Sequence, residues 1–427
     1  MRDAPSPAPA GRPTRVRHGV LALAMALGMV TYLDRACIGA LAPAISLNLA
    51  LSKDQMSWVF SAFALAYAFF ELPTAAWADR CGARRALTRI VLWWSAFTVA
   101  TAAAVGYGSL LVIRFLFGVG EAGAWPCVAL IFARWVPPAD RGRVQGIFFA
   151  AAHLSGALTP MLALALVGSL GWRPVFVCFG LVGVLWVSVW CRLFRDDPAR
   201  HPGVNPAELT LIAAGRAAGG EGAPEPFTWR RLLLHRNTLP LCLGYVPNRC
   251  GFYFCITWLP TYLAEKHHFT SLSLGFFAGL PLLVAVPGDL LGGMVTDAAT
   301  RHFGPRLGRA GVCVLGNLVA GLAMIGAAFA PNPHLAIGLI SLAICATMFT
   351  LGATWATCVG LGGSHVGKVS ATMNTAGQIG SVGGPLMVTG LLHLCGDWNA
   401  PVFAIGGLFL LGALCWCLID PRDRIFG

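Results

Sequence analysis

Charge is what this sequence lacks most. Only 11% of its 427 residues are Asp, Glu, Lys or Arg, against roughly a quarter in a soluble protein. With 57% hydrophobic residues and a mean hydropathy of +0.70, the chain cannot cover an aqueous surface, so most of it must face lipid. Its 14 cysteines are scattered singly, with no CxxC pair and no His cluster at metal spacing. Small packing residues, rather than disulfides or metal ligands, are therefore expected. The alternating ten-residue segments of a membrane β-barrel are missing as well. No polar stretch is long enough for a catalytic domain.

What is present is a series of continuous apolar runs, each near the roughly 20 residues a helix needs to cross the hydrocarbon. They fall at about 19–40, 56–77, 87–106, 109–133, 143–167, 172–193, 237–264, 272–296, 310–330, 333–358, 366–393 and 398–419. This pattern predicts an all-α polytopic membrane protein with twelve transmembrane helices, in two six-helix bundles at 19–193 and 237–419. An N-terminal tail (1–18) rich in Pro, Ala and Arg, a polar linker (194–236) and a short C-terminal tail (420–427) complete the chain. The tail at the N-terminus reads as disordered. No small-residue cleavage site precedes helix 1, so no cleaved signal peptide is expected.

The net charge of +12 would suggest nucleic acid in a soluble protein, but its distribution excludes that. With both termini in the cytoplasm, 24 of the 30 Lys and Arg lie on the inner side. Lys53, Arg173 and Lys266 lie outside; Arg35, Arg114 and Arg249 lie within spans. This positive-inside asymmetry predicts a multi-pass protein of the cell membrane, in a bacterium the inner membrane.

The linker, with its glycine-rich stretch Gly215–Gly222 and Pro224 and Pro226, separates halves that echo one another. After helix 2 the sequence reads Ala75-x3-Asp79-Arg80-x-Gly82-x-Arg84-Arg85; after helix 8 it reads Gly293-x3-Asp297, then Arg301, Gly304, Arg306 and Arg309. Such internal repeats mark transporters whose halves rock around a central site. Asp79-Arg80-Cys81-Gly82-Ala83-Arg84-Arg85 resembles the signature loop of the major facilitator superfamily. Thr31-Tyr32-Leu33-Asp34-Arg35, Tyr67-x5-Pro73, Arg114-x3-Gly118-x-Gly120-Glu121-Ala122, Trp258-Leu259-Pro260-Thr261-Tyr262-Leu263 and Met373-Asn374-x2-Gly377-Gln378 are similar to its anion:cation symporter branch. That branch takes up sugar acids and other organic anions with protons. Ala75 and Trp77 depart from the glycine and leucine usual in the loop motif, and Arg249 is not a feature that the sugar-acid members lead one to expect.

Charged side chains inside a bilayer are costly and mark functional sites. At about 1.5 Å per residue, Asp34, Arg35 and Arg114 lie at similar depth in the outer part of the membrane, with Glu121 two turns below Arg114 near the midplane. The economical arrangement pairs Asp34 with Arg114, turns Arg35 to the cavity and leaves Glu121 without a cation at its depth. Desolvation disfavours a carboxylate's charged form, so Glu121 is suited to exchange a proton. The resemblance implies the same: matches to Asp34 and Glu121 handle protons there, the match to Arg35 anchors substrate and that to Arg114 is a charge partner. Static pairs holding helices together are the competing reading.

Candidate substrate contacts are Tyr32, Tyr67, His153, Arg249, Tyr253, Thr354, Trp355, Asn374 and Gln378, although polar side chains also bridge membrane helices. Asp79, Arg80, Arg84 and Arg85 are candidate gating residues, joined by Glu71 and by Asp297 of the second loop; Asp289 is expected with that second loop. Asp196-Asp197 reads as a loop-start pair. Gly362-x4-Gly367-Lys368 lacks the Ser or Thr of a nucleotide-binding loop, so ATP is not expected. The resulting expectation is a proton-coupled symporter of a small organic anion, without cofactor, nucleic acid or catalytic residues, and monomeric by default. A drug or metabolite exporter on the same fold, or a non-transporting sensor, is the alternative.

Overall fold

The computed structural model describes residues 12–137, 140–213 and 227–426. Within them run α1 (Val16–Leu49), α2 (Lys53–Cys81), α3 (Ala83–Thr101), α4 (Tyr107–Glu121, then Ala124–Trp135), α5 (Arg141–Leu170) and α6 (Trp172–Leu193). The second half holds α7 (Thr238–Thr257, then Leu259–His267), α8 (Ser271–Pro305), α9 (Val312–Ala328), α10 (Pro333–Phe349, then Leu351–Gly362), α11 (Val366–Cys395) and α12 (Asn399–Cys417). By length and apolarity alone, eight segments of the described residues qualify as membrane spans, one of them running through both α8 and α9. The helices that fall short are α3, α7 and α11. Their deficit comes from polar residues: Arg84, Arg85 and Arg89 in α3, Asn248 and Arg249 in α7, Asn374 and Gln378 in α11.

Local signals explain several boundaries. Ser52 and Gln55 form a reciprocal capping box at the start of α2, at 3.2 and 2.9 Å, satisfying two of the orphan amides of a helix start. The break in α4 falls immediately after Glu121, where Gly123 takes φ +91°, a conformation that costs little only without a side chain. Broken helices at membrane depth often lie at functional sites, and this break falls directly after the buried Glu121.

The halves meet most closely at the end of the bundle away from the termini. Ser57 Oγ donates to the Pro385 carbonyl at 2.8 Å and lies 3.1 Å from Thr389 Oγ1, and Ser61 Oγ donates to the Val382 carbonyl at 2.8 Å. At the rim, Lys53 pairs with Glu265 at 2.6 Å and His393 with Asp54 at 2.8 Å. Between α1 and α7 the backbones approach so closely that a Cβ on Gly39 would come 2.0 Å from the Ile256 carbonyl oxygen. That end of the molecule is shut.

The described end of the N-terminal tail is ordered, where the sequence reading expects disorder. Thr14 Oγ1 donates to Glu208 and the Arg17 amide to Glu208 Oε1 at 3.0 Å, so the end of the expected disordered tail docks on a linker helix, Pro206–Ala213. A buried carboxylate requires donors, and the tail supplies them. The stretch 215–222, with Pro224 and Pro226, and residues 1–11 lie outside the described residues.

Candidate functional site

Most of the buried charges gather within the first half, among α1, α3 and α4. Arg35 of α1 reaches Glu121 at the break of α4, with both Nε and Nη2 against Oε1. The side chains are 4% and 0% exposed. Four rings enclose the guanidinium: Tyr67 at 5.1 Å, Phe63 at 5.2 Å, Trp125 at 5.6 Å and Tyr32 at 5.9 Å from Cζ to centroid. Aromatic faces attract a desolvated cation and also keep water out. Glu121 Oε2 is buried without a hydrogen-bond partner.

This corrects the expected pairing. Asp34 does not form an ion pair with Arg114; its oxygens are buried without a hydrogen-bond partner, beside Thr98 and Trp94 of α3. Arg114 stacks its guanidinium 4.3 Å from Phe117, within electrostatic reach of both Asp34 and Glu121. Glu121 therefore does have a cation. Adjacent residues on a helix point about 100° apart, and the longer Arg35 side chain spans the depth to Glu121, which the short Asp34 side chain cannot.

A second cluster crosses the seam between α5 and α8. His153 Nδ1 lies 2.5 Å from Asp289 Oδ2, both side chains buried, and His153 Nε2 lies 3.4 Å from the Tyr32 hydroxyl. Asp289 was expected with the second loop; it lies two turns earlier on α8, and its side chain turns inward to the other half. Tyr32 also packs edge-on against Phe252 at 5.8 Å and Trp125 at 6.1 Å.

The second half contributes a further buried cation. Arg249 of α7 has no ion pair among the described residues and its Nε is buried without a partner; its guanidinium lies 5.4 Å from Tyr253 and 5.8 Å from Phe252. Asn374 Nδ2 donates to both oxygens of Glu71 at 3.1 Å, a contact between α11 and α2. A candidate gating residue and a candidate substrate contact thus hold one another. Tyr67 Oη and Gln378 Oε1 are buried and unpartnered, whereas Thr354 turns away, donating to the Thr350 carbonyl at 3.0 Å beside Cys313. Trp355 packs on a separate apolar cluster near the terminus-bearing end.

At the loop between α2 and α3, Arg84 is drawn together by a residue read from sequence as a mere loop start. Asp196 accepts from the Arg84 amide at 3.1 Å, in the first turn of α3, and lies 3.7 Å from Arg134. A carboxylate at a helix N-terminus is stabilised by its free amides, and a Cβ on Gly82 would meet it at 2.8 Å. Arg84 also donates to the Cys191 carbonyl. Arg80 and Arg85 are exposed; the side chain of Asp79 lies outside the described residues. Asp297 is exposed, with no ion pair among the described residues, so the two loops are not held alike. Trp125 was also missed, although its place four residues after Glu121 was a signal.

The Major Facilitator Superfamily profile matches residues 24–385. The "Probable sulfoacetate transporter SauU" of Cupriavidus necator is 32% identical over 413 residues, covering 95% of this chain and 94% of its own. The "D-galactonate transporter" of Escherichia coli is 29% identical over 423 residues, with 97% of each covered. The "Hexuronate transporter" of Bacillus subtilis is 26% identical over 392 residues, covering 91% and 90%. Among solved structures, a bacterial homolog to the human lysosomal transporter Spinster, inward-facing and occupied, superposes with a TM-score of 0.76 at 22% identity, over 96% of this chain and 99% of that one. With its repeated loops, its spanning helices and this match over most of its length, the chain belongs to the Major Facilitator Superfamily, as a multi-pass membrane protein.

Proposed function

We propose that this protein is a secondary active transporter that takes up a small organic anion, a sugar acid or similar carboxylate, together with protons by alternating access. Arg35 carries the reading. It is a buried guanidinium ringed by aromatic side chains and balanced by a carboxylate whose second oxygen has no partner. An incoming carboxylate competes with Glu121 for that guanidinium. Two carboxylates on one cation leave a buried negative charge uncompensated, at a cost of several kcal/mol. A proton on Glu121 removes that charge, so anion and proton bind best together. Asp34, buried within electrostatic reach of Arg114 and without an ion pair among the described residues, is the second proton candidate.

Arg249 extends the reading to substrate class. Its unpaired charge on the opposite half suits an anion with a second acidic group, one end on each half. Of the relatives' named substrates, sulfoacetate carries two acidic groups, whereas D-galactonate and hexuronates carry one, so the names support small organic acids and only the first supports a doubly acidic one. The closed seam away from the termini is then the outer gate, the termini are cytoplasmic, and the Glu71–Asn374 contact and the Asp196-held loop belong to the cytoplasmic side.

The test is uptake of labelled organic anions into proteoliposomes, with and without an inward proton gradient, by wild type and Glu121→Gln. Gradient-driven accumulation lost in the variant, with exchange retained, supports the proposal. Gradient-driven extrusion of apolar amines without anion uptake would instead establish an exporter.

A further inference from the structure

A cavity of about 530 Å³ opens at the terminus-bearing end of the second half, far from the central site. It is lined by Pro305, Arg309, Val359, Gly360, Pro421, Arg422 and Arg424, with Gly363. Three guanidiniums facing one cavity repel each other unless an anion sits among them. Only Arg422 has an anionic partner, Asp420 at 3.0 Å. Arg309 donates to the Ala356 carbonyl at 3.1 Å, and neither Arg309 nor Arg424 has an ion pair among the described residues.

The arginines are held in place. The chain after α12 docks through Ile425 and its amide to the Leu361 carbonyl at 2.8 Å, through Asn237 to the Asp420 and Asp423 carbonyls at 3.0 Å, and through Arg236 to Asp423 at 2.7 Å. Ile425 and Phe426 are fully buried; Arg424, one residue before, is exposed on the cavity side. Gly360 makes room for Arg309, since a Cβ there would lie 2.5 Å from Nη1. An apolar residue also lines the cavity, Val359, which is 57% exposed; Leu307, two residues before Arg309, and Leu418, four before Arg422, are exposed as well.

We infer that this cavity binds a phosphate group, and specifically that of an anionic phospholipid, its acyl chains lying along Val359 and Leu418. Guanidinium forks match phosphate oxygens, and basic pockets at the cytoplasmic edge of membrane helices favour anionic headgroups. A soluble phosphate would gain nothing from the apolar margin.

The test uses the full-length protein extracted from phosphatidylcholine bilayers doped with phosphatidylglycerol, with native mass spectrometry counting retained lipid. Phosphatidylglycerol is expected to be retained and phosphatidylcholine not. Arg309→Gln combined with Arg424→Gln should lower retention about tenfold, the loss expected for charge-assisted contacts. Gly360→Leu, which keeps every charge but displaces Arg309, should lower it too. A monodisperse elution profile checks that each variant is folded. Equal retention by wild type and the double variant overturns the inference. So does binding of labelled inorganic phosphate at this site without lipid retention, which would assign a soluble ligand.

Discussion

The two halves of the molecule share one architecture but divide their buried charge unequally. The first half holds a connected set, Arg35 on Glu121 with Asp34 and Arg114 close by, set among α1, α3 and α4. In the second, Arg249 has no ion pair among the described residues, with Tyr245 and the Glu71 carboxylate of the first half within electrostatic reach, and the remaining central groups are neutral or bound elsewhere: Gln378 unpartnered, Asn374 on Glu71, Asp289 on His153. Cations that already have carboxylates can trade them for substrate when a proton arrives. A cation without one can only recruit. Under the proposed function, the first half therefore couples protons and the second half selects the anion.

Breaking the first half should have the largest effect. Arg35→Gln removes the anchor and leaves Glu121 buried and alone, so anion affinity measured by thermal shift should fall on the order of 100-fold or more, the cost of truncating one partner of a buried charge pair. Glu121→Gln separates coupling from binding: counterflow exchange should persist while stimulation by the proton gradient disappears. In the second half, Arg249→Gln should weaken binding of a dianion about tenfold and of the matched monoanion little, since one charge-assisted contact is worth roughly 1.5–3 kcal/mol. Equal losses for both anions would remove Arg249 from recognition. Asn374→Asp opposes two carboxylates across α2 and α11 and should slow exchange several-fold, with recovery in Glu71→Gln/Asn374→Asp.

The smallest effect belongs to the rim, outside the spans. The Lys266 ammonium, bonded to Asp397 at 2.6 Å, holds that carboxyl below its usual range. A lowered folded-state value means that this pair's contribution is complete above the ordinary carboxylate range and is lost as pH falls through the lowered value. Both side chains are about a third exposed or more, so Asp397→Asn should cost no more than about 0.5 kcal/mol in denaturation near neutral pH, and nothing in strong acid.

The helix frame was legible because lipid imposes it: each span must be long, apolar and internally hydrogen-bonded. The candidate residues were legible for the converse reason, since an ionisable group in such a span is costly enough to stand out. What could not be read was direction. Sequence places Asp34 and Arg35 at one depth but does not say which turns to α3 and which spans to Glu121; the facing rings of Phe63, Tyr67 and Trp125 decide that. Asp289 looked like part of a loop until α5 was packed against α8, and Asp196 like a loop start until it met the first turn of α3. Thr354, at the right depth, faces α9.

Composition and periodicity thus determined the solvent, the helices and which residues are chemically exceptional, because those follow from transfer of each segment into lipid. Partners were decided only by tertiary packing. A buried charge takes its identity from what lies within a few ångströms, and in this protein the groups that pair with Arg35, His153 and Glu71 come from other helices.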